Sequence, residues 1–258
     1  MKPVLRYVIF GLVMYGVFVL GMVPASWVYS HGLQSRLGGV TLYGVRGTVW
    51  QGRATLLMSR GTQLQNLHWD LHPWALLWGR MEAALRFDYQ AAPGKTVVGR
   101  TVTGNWYLHD ADLELPARRL APLLRMPGAE LGGKLALRLS SLTMKEGRVT
   151  AADGELTWEK AALRKPLAVE LGTFAVKLET TADGVSGALK DRGGAVQAQG
   201  LLKLQANGRY QLSATFASRN PQQPLITQGL RLFGTPGPDG RVKYSTTGVL
   251  PPLFPGAG

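Results

Sequence analysis

Alternation of apolar and polar residues is the feature that most constrains the fold of this chain. Residues 134–140 read Lys-Leu-Ala-Leu-Arg-Leu-Ser, so that every second residue is leucine. Residues two apart lie on the same face of an extended strand, and the pattern therefore predicts a strand with one buried and one solvated face. The same period of two recurs in residues 174–180, 196–204, 210–216 and 242–247. We therefore expect a β-sheet protein, and 33 glycines and 15 prolines suit a chain that turns often.

Short turn motifs separate these strands and predict how they connect. The motifs are Lys145-Glu-Gly147, Asp153-Gly154, Ala182-Asp-Gly184, Asn207-Gly208 and Asp239-Gly240. Asp-Gly and Asn-Gly pairs readily adopt the positive φ angles of tight hairpin turns, so their recurrence predicts a meander of antiparallel strands. Residues 115–125 and 225–233 instead predict two short helices. Pro116 lies near the start of the first, and the leucines of that segment share one side.

The N-terminal segment predicts a membrane anchor. Residues 7–23 carry no charge, and this apolar run approaches the length of about 20 residues that crosses a bilayer. Lys2 and Arg6 precede the run and Trp27 follows it, which predicts a cytoplasmic N-terminus and an aromatic contact at the far interface. The aromatic residues expected in the anchor are Tyr7, Phe10, Tyr15, Phe18 and Trp27. A cleavable signal peptide is the alternative, because residues 23–25 resemble a small-residue cleavage site.

These features predict three regions: a cytoplasmic N-terminus at 1–6, a transmembrane anchor at 7–27 and a β-rich domain at 28–258 on the far side of the membrane. The third region has weak internal similarity, which suggests two similar layers at about 30–110 and 130–250. The expected fold is mainly β, with one N-terminal transmembrane helix followed by a curved, largely antiparallel sheet and two short helices.

Charge and cysteine content narrow the range of functions. The formal net charge of +13 comes from 29 basic and 16 acidic residues, and it favours anionic partners in general. The basic residues occur singly rather than in a dense run, so nucleic-acid binding is not expected. The chain contains no cysteine, which excludes disulfides, thiol catalysis and Cys-ligated metals.

The remaining polar residues form no catalytic or metal-binding pattern. His68 and His72 lie four residues apart, but on a strand this spacing separates them by about 13 Å. Asp110, Asp112 and Glu114 alternate along the chain, which fits either a solvated strand edge or a calcium site. The spacing lacks the rest of a calcium loop, so the strand edge is the favoured interpretation. We therefore expect no enzyme activity, no metal, no cofactor and no small-molecule substrate.

Tryptophans are concentrated in one part of the chain, at positions 50, 69, 74, 78 and 106. Such rings fill the interior of a sheet or contact sugars and lipids at its surface. Trp50, between the glycines of Gly47-Thr-Val-Trp-Gln-Gly52, is interpreted as a core side chain on a curved strand, whose loss costs about 3–5 kcal/mol. Trp74 and Trp78, together with Arg80, are the candidates for contact with a protein partner.

The order of several motifs resembles the type II secretion system protein N family. These motifs are the anchor ending in Val-Pro-Ala-Ser-Trp27 and residues 45–54, 67–74, 77–80, 208–212, 230–234 and 239–244. The resemblance implies an inner-membrane protein, mostly periplasmic, in the machine that exports folded proteins across the outer membrane of Gram-negative bacteria. It implies contacts with other components, either the inner-membrane platform or the secretin, and it supplies no catalytic residues.

A second hypothesis stays open from the sequence alone. An anchored periplasmic β-sheet protein also resembles the AsmA-like proteins, whose curved sheets offer an apolar groove to lipid. A sheet face filled by side chains favours the secretion component, whereas an apolar groove open to solvent favours lipid transfer.

Overall fold

The computed structural model describes residues 3–33, 39–59, 62–89, 92–120, 130–165, 168–220, 224–231 and 234–251. The chain divides into two compact units, residues 1–93 and 94–258. Antiparallel strands with a few short helices make up most of the described chain, which confirms the mainly β, antiparallel prediction. The predicted layers at 30–110 and 130–250 stay a prediction.

Three helices belong to the first unit: α1 (Pro3–Gly21), α2 (Ala25–Val28) and α3 (Pro73–Leu76), with a π-helical turn at Tyr29–Leu33 after α2. Within the described ranges, none of the helices has both the length and the apolar character that crossing a membrane requires. The transmembrane anchor at 7–27 therefore stays a prediction.

The strands of the first unit are β1 (Val40–Tyr43), β2 (Arg46–Gly47), β3 (Gln51–Ser59), β4 (Thr62–Leu71) and β5 (Arg80–Tyr89). Their order is β1-β3-β4-β5, each antiparallel to its neighbour, and β2 also pairs with β3. The interpretation of residues 67–73 as a strand running into a turn is confirmed, because β4 ends at Leu71 and α3 follows.

The Gly47–Gly52 segment forms a tight turn rather than a continuous strand. Gly47 has a φ of +91° and pairs with Gly52 across the turn. The Thr48 N–H donates to the Gln51 carbonyl at 2.8 Å, so residues 48–50 reverse the chain between β2 and β3. Trp50 is half-buried at this turn, and the prediction that it is a core side chain is wrong. The reason is that residues 48–50 form the turn between β2 and β3, so Trp50 does not belong to a strand of the sheet.

The second unit contains nine described strands. They are β6 (Ala92–Thr101), β7 (Trp106–Pro116), β8 (Glu130–Lys145), β9 (Arg148–Lys165), β10 (Val169–Thr181), β11 (Gly184–Asp191), β12 (Val196–Gln205), β13 (Arg209–Ser218) and β14 (Val242–Val249). Each pairs antiparallel with the next along the chain. The predicted meander is confirmed for this unit, and all five alternating segments lie in strands.

One of the five predicted turn motifs is wrong. Asp153 and Gly154 lie inside β9, at a register shift opposite β8, whereas the other four motifs form turns. The Asp153 carboxylate accepts the Thr180 N–H at 2.9 Å, the Thr180 hydroxyl at 2.7 Å and the Ser141 hydroxyl at 3.1 Å. These hydrogen bonds join β9 to both neighbouring strands. Asp153 therefore stabilises a β-bulge within the sheet and does not form a turn.

Two helical segments pack on the second unit. A 3-10 helix covers Ala117–Leu120, and α4 covers Pro224–Leu230. The helix predicted at 115–125 is wrong at its start, because residues 115 and 116 still pair with β8 as the end of β7. Residues 121–125 and 232–233 of the two predicted helices lie outside the described residues.

The core of the second unit lies between α4 and the sheet. Ile226 and Leu230 of α4 pack with Phe174, Val196 and Val242, all less than one-tenth exposed. A second cluster joins the 3-10 helix to β8 and β9 through Ala117, Leu131, Leu135 and Leu163. Side chains therefore fill the sheet face beneath these helical segments, and this filling does not favour the apolar groove that lipid transfer requires.

Aromatic rings cover glycines on adjacent strands. The directly opposed pairs are Gly52 with Trp69, Gly99 with Tyr107 and Gly248 with Tyr210. A β-carbon on Gly52 would lie 2.3 Å from Trp69 Cζ2, so the ring occupies the space that a side chain would fill. The glycines thus let large rings lie flat against the sheet.

Candidate interaction surface

The connection between β4 and β5 and the first two residues of β5, residues 72–81 together, form an ordered projection that we call the β4–β5 tip. At its neck the His72 N–H donates to the Glu82 carbonyl at 2.9 Å, and His72 Nδ1 lies 3.0 Å from Glu82 Oε1. Pro73 occupies the first turn of α3, where its fixed φ and missing N–H favour helix initiation.

Backbone hydrogen bonds continue through the tip. The N–H groups of residues 77, 78 and 79 donate to the carbonyls three residues earlier, at 3.2, 3.1 and 3.0 Å. Gly79, with a φ of +65°, then allows the chain to turn into β5. The tip is therefore a defined helical turn, although few side chains cover it.

The tip exposes an unusual density of apolar side chains. Trp74 is 77%, Leu77 75% and Trp78 82% exposed, while Leu76 and Met81 are 49% and 56% exposed. A group of exposed apolar side chains of this kind marks a contact site for a protein or a membrane. Trp74, Trp78 and Arg80, selected from the sequence, lie together and exposed on this tip. Their contact with a protein partner stays a prediction.

Sequence reasoning missed Leu77 and Met81 as members of the same surface. Leu77 could have been found from the sequence, because it lies between the two tryptophans in Trp-Ala-Leu-Leu-Trp. Met81 is the second residue of β5, and its exposure of 56% beside the tip is known only from the tertiary structure.

Exposed aromatic residues also line α1. Tyr7, Phe10, Tyr15 and Phe18 are each between 61% and 76% exposed. Trp27, after the helix, is 60% exposed and stacks on His31 with ring centroids 5.1 Å apart. All five residues proposed for the anchor from the sequence therefore present large apolar surfaces.

The end of α1 is joined to the sheet close to the β4–β5 tip. The Val49 N–H, in the β2–β3 turn, donates to the Val23 carbonyl at 3.0 Å. On the other side of that turn, the Leu71 N–H donates to the Trp50 carbonyl at 2.6 Å. Ala25, which follows this link, is buried. The end of α1, the β2–β3 turn and the start of the tip are therefore neighbours at one end of the first unit.

Four basic residues form a row across the same unit, which we call the basic row. Arg46 pairs with Arg53, Arg53 with His68, and His68 with Arg86 on four successive strands. The four residues are exposed and line one shallow cavity. Among the described residues, none of the three guanidinium groups makes a hydrogen bond or an ion pair. Like charges directly opposite each other destabilise a sheet, so an anionic ligand would relieve the repulsion.

The other polar residues selected from the sequence have structural partners. His68 belongs to the basic row and His72 to the neck of the tip. Across the described ranges, no group of three or more His, Asp or Glu side chains is arranged to hold a metal ion.

Two of the three acidic residues of β7 pair with cations on β8. Asp112 lies 3.8 Å from Arg138 and Glu114 lies 3.5 Å from Lys134, while Asp110 contacts His109 at 3.0 Å. These cross-strand pairs favour the solvated strand over calcium binding, because the carboxylates point to basic side chains and not to a common centre.

Comparison with known proteins identifies the family. The sequence profile of the Type II secretion system (T2SS), protein N family matches residues 38–245. The chain belongs to this family. It is 31% identical to type II secretion system protein N of Vibrio cholerae serotype O1, over 82% of this chain and 86% of that protein. The protein of the same description from Aeromonas hydrophila is also 31% identical, over 89% of this chain and 92% of the relative.

A third relative extends the similarity over a longer part of the chain. Type II secretion system protein N of Pectobacterium carotovorum is 24% identical over 92% of this chain and 93% of its own length. No solved structure matches the chain. Family membership makes this protein a component of the type II secretion system, and the resemblance described from the sequence motifs is confirmed.

Proposed function

We propose that this protein is an inner-membrane-anchored, non-catalytic component of the type II secretion system. It supports export of folded proteins from the periplasm across the outer membrane through contacts with other components, either the platform proteins or the secretin. Residues 1–6 lie in the cytoplasm, residues 7–27 hold the chain in the inner membrane, and residues 28–258 lie in the periplasm.

The apolar surface of α1 carries this proposal. Phe10 and Leu12 are each 65% exposed, Tyr15 is 68% exposed and Phe18 is 61% exposed. Such surface is unfavourable in water by about 25 cal/mol for each Å² of apolar area, whereas hydrocarbon removes that cost. A bilayer around α1 therefore supplies the burial that the described part of the chain does not.

The link between α1 and the first unit supports an anchoring role. The Val49–Val23 hydrogen bond and the buried Ala25 fix the chain directly after the helix to the sheet. An anchor joined in this way holds the sheet beside the membrane rather than on a long free linker. Such a connection suits a component that presents its surface to neighbouring proteins.

Complementation of a deletion strain tests the function. Loss of the gene should abolish or strongly reduce export of folded substrates, and the wild-type chain should restore it. Purification in mild detergent should recover another secretion component with the protein. Unchanged export in the deletion strain, together with failure to recover any component, would refute the proposal.

Introducing a charged residue into the predicted anchor tests membrane attachment separately from folding. Leu12→Lys should reduce the membrane-bound fraction and export, because a charged residue at the centre of a membrane helix costs about 2.5–3.5 kcal/mol in insertion assays. Val249→Lys is the control, since Val249 is 62% exposed on β14 and far from α1 in sequence. Equal membrane retention of the two variants would contradict the anchor.

A further inference from the structure

We propose that the β4–β5 tip inserts into the membrane interface beside α1, so that the first unit docks on the lipid surface at a second point. In this arrangement Trp74, Leu77 and Trp78 enter the interface, and the basic row is attracted to anionic phosphate headgroups. The inference rests on the proposed anchoring by α1, but it assigns a separate surface and a separate ligand class.

The backbone places the tip near the end of the anchor. The chain at Val23 bonds to the β2–β3 turn at Val49, and the next residue, Trp50, bonds to Leu71. Hydrogen-bonded chains lie about 5 Å apart, so Leu71 is roughly 10 Å from Val23. The tip begins with the residue after Leu71. A helix that leaves the membrane at Val23 therefore brings the tip to the interfacial layer, which extends roughly 5–8 Å beyond the hydrocarbon.

The side chains of the tip suit that layer. Tryptophan is enriched at membrane interfaces because its ring is apolar while its N–H remains near water. Leu77, between the two rings and 75% exposed, adds a purely apolar side chain. The backbone bonds within residues 74–79 hold these side chains outward already, so insertion requires no refolding of the turn.

The charge of the same unit matches a lipid surface. Arg46, Arg53 and Arg86 have no anion within the described residues, and guanidinium groups bind phosphate oxygens well. The nearby carboxylates already have partners: Asp70 accepts a hydrogen bond from Gln51, and Glu82 contacts His72. His68 of the basic row lies four residues before His72 at the neck of the tip, or about 13 Å by strand rise. This distance is between one and two Debye lengths, so the row attracts the lipid phosphates by long-range electrostatics.

Spin labels at single cysteines test this placement in the full-length chain. The natural sequence contains no cysteine, so Leu77→Cys, Leu12→Cys and Met58→Cys each give one labelled site. Met58 is the matched control, because it lies on β3 seven residues from the β2–β3 turn, about 23 Å by strand rise. Each labelled protein is reconstituted in vesicles of phosphatidylethanolamine and phosphatidylglycerol.

The experiment measures how often each spin label collides with oxygen, which concentrates in lipid, and with a nickel chelate, which stays in water. The ratio of the two collision rates shows whether the label lies in lipid or in water. Labels at residues 12 and 77 should favour oxygen, and the label at residue 58 should favour the chelate. A chelate-favouring label at 77 with an oxygen-favouring label at 12 would overturn tip insertion and leave the anchor intact. A chelate-favouring label at 12 would overturn the anchor itself. Met81→Cys gives a second tip position if the Leu77 variant does not fold.

Two further comparisons complete the test. Replacing Arg46 and Arg53 with glutamate should lower the oxygen preference at residue 77 in anionic vesicles and leave it unchanged in zwitterionic ones. An equal effect in both lipids, or no effect, would overturn the role of the basic row. The label at residue 77 could also be protected from the chelate only after other secretion components are added, and not by lipid alone. That result would overturn insertion into lipid and assign the tip to a protein partner.

Discussion

Replacing Gly52 with alanine should destabilise the first unit by about 2–4 kcal/mol. A β-carbon at this position would lie 2.3 Å from Trp69 Cζ2 and 2.8 Å from the Arg46 carbonyl oxygen. Gly52 does not have a positive φ, so alanine can adopt its backbone conformation. The cost therefore comes from displacing a neighbouring ring and strand.

The magnitude follows from two contributions. Overpacking a well-packed site costs about 1–3 kcal/mol. Moving the Trp69 ring also breaks the hydrogen bond from its Nε1–H to the Val49 carbonyl, 3.0 Å long, and such a bond contributes about 0.5–1.5 kcal/mol. Val49 is the residue that bonds to Val23, so the substitution should loosen the attachment of α1 as well.

Urea unfolding of the full-length chain in detergent measures the effect. Tryptophan fluorescence reports mainly on the first unit, because five of the seven tryptophans lie within residues 1–93. The Gly52→Ala midpoint should fall, and the Val49 amide should exchange with deuterium faster than in the wild type.

Gly229→Ala is the matched control. Gly229 lies in α4, and a β-carbon there would have no atom within 4 Å. Alanine is favoured over glycine in helices, so this variant should stabilise the second unit by about 0.5–1 kcal/mol and leave the fluorescence midpoint of the first unit unchanged. A Gly52→Ala protein with wild-type stability and unchanged exchange at Val49 would refute the reasoning that Trp69 occupies the space above Gly52.

Three other substitutions test individual contacts within the sheet and between the sheet and α4. Hydrogen bonds from Thr180 hold the pKa of Asp153 below its ordinary 3.8, so its carboxylate stabilises the fold above about pH 4 and loses this effect as pH falls. Asp153→Asn should lower the melting temperature at neutral pH and flatten its fall in acid; an unchanged acid slope would contradict this. Arg53→Thr should stabilise the first unit by about 0.2–1 kcal/mol in urea, because Arg53 faces Arg46 directly, and a loss of stability would count against repulsion. Ile226→Ala should cost about 2–5 kcal/mol in thermal unfolding, since Ile226 is the α4 residue that is only 5% exposed against the sheet; a cost near zero would show that α4 is not part of the core.

The sequence predicted local structure well where the pattern was repeated and the turn was short. Period-two segments such as 134–140 became strands, and Asn207-Gly208 became a hairpin turn. The same dipeptide logic failed at Asp153-Gly154, where hydrogen bonds from β8 and β10 hold a bulge inside a strand of 18 residues. The turn preference of a dipeptide is a local property. Here it is overridden, because residues on both neighbouring strands donate hydrogen bonds to the aspartate carboxylate.

The candidate surface was only partly visible in the sequence. Trp74, Trp78 and Arg80 lie within one short segment, and the sequence analysis selected them as the candidates for an exposed role. Trp50, an equally bulky residue, was placed in the core although it lies half-buried at a turn. Burial depends on which strands pack on a residue, and hydrophobicity alone does not carry that information.

The sequence by itself determined the antiparallel meander, the apolar N-terminal run and the family, because alternation, turn residues and motif order are written along the chain. Only the tertiary structure joined Val23 to the turn at Val49 and aligned Arg46, Arg53, His68 and Arg86 in one row. These arrangements depend on strand register. Register brings residues that are distant along the chain to the same level of the sheet, and it is fixed by the packing of whole strands.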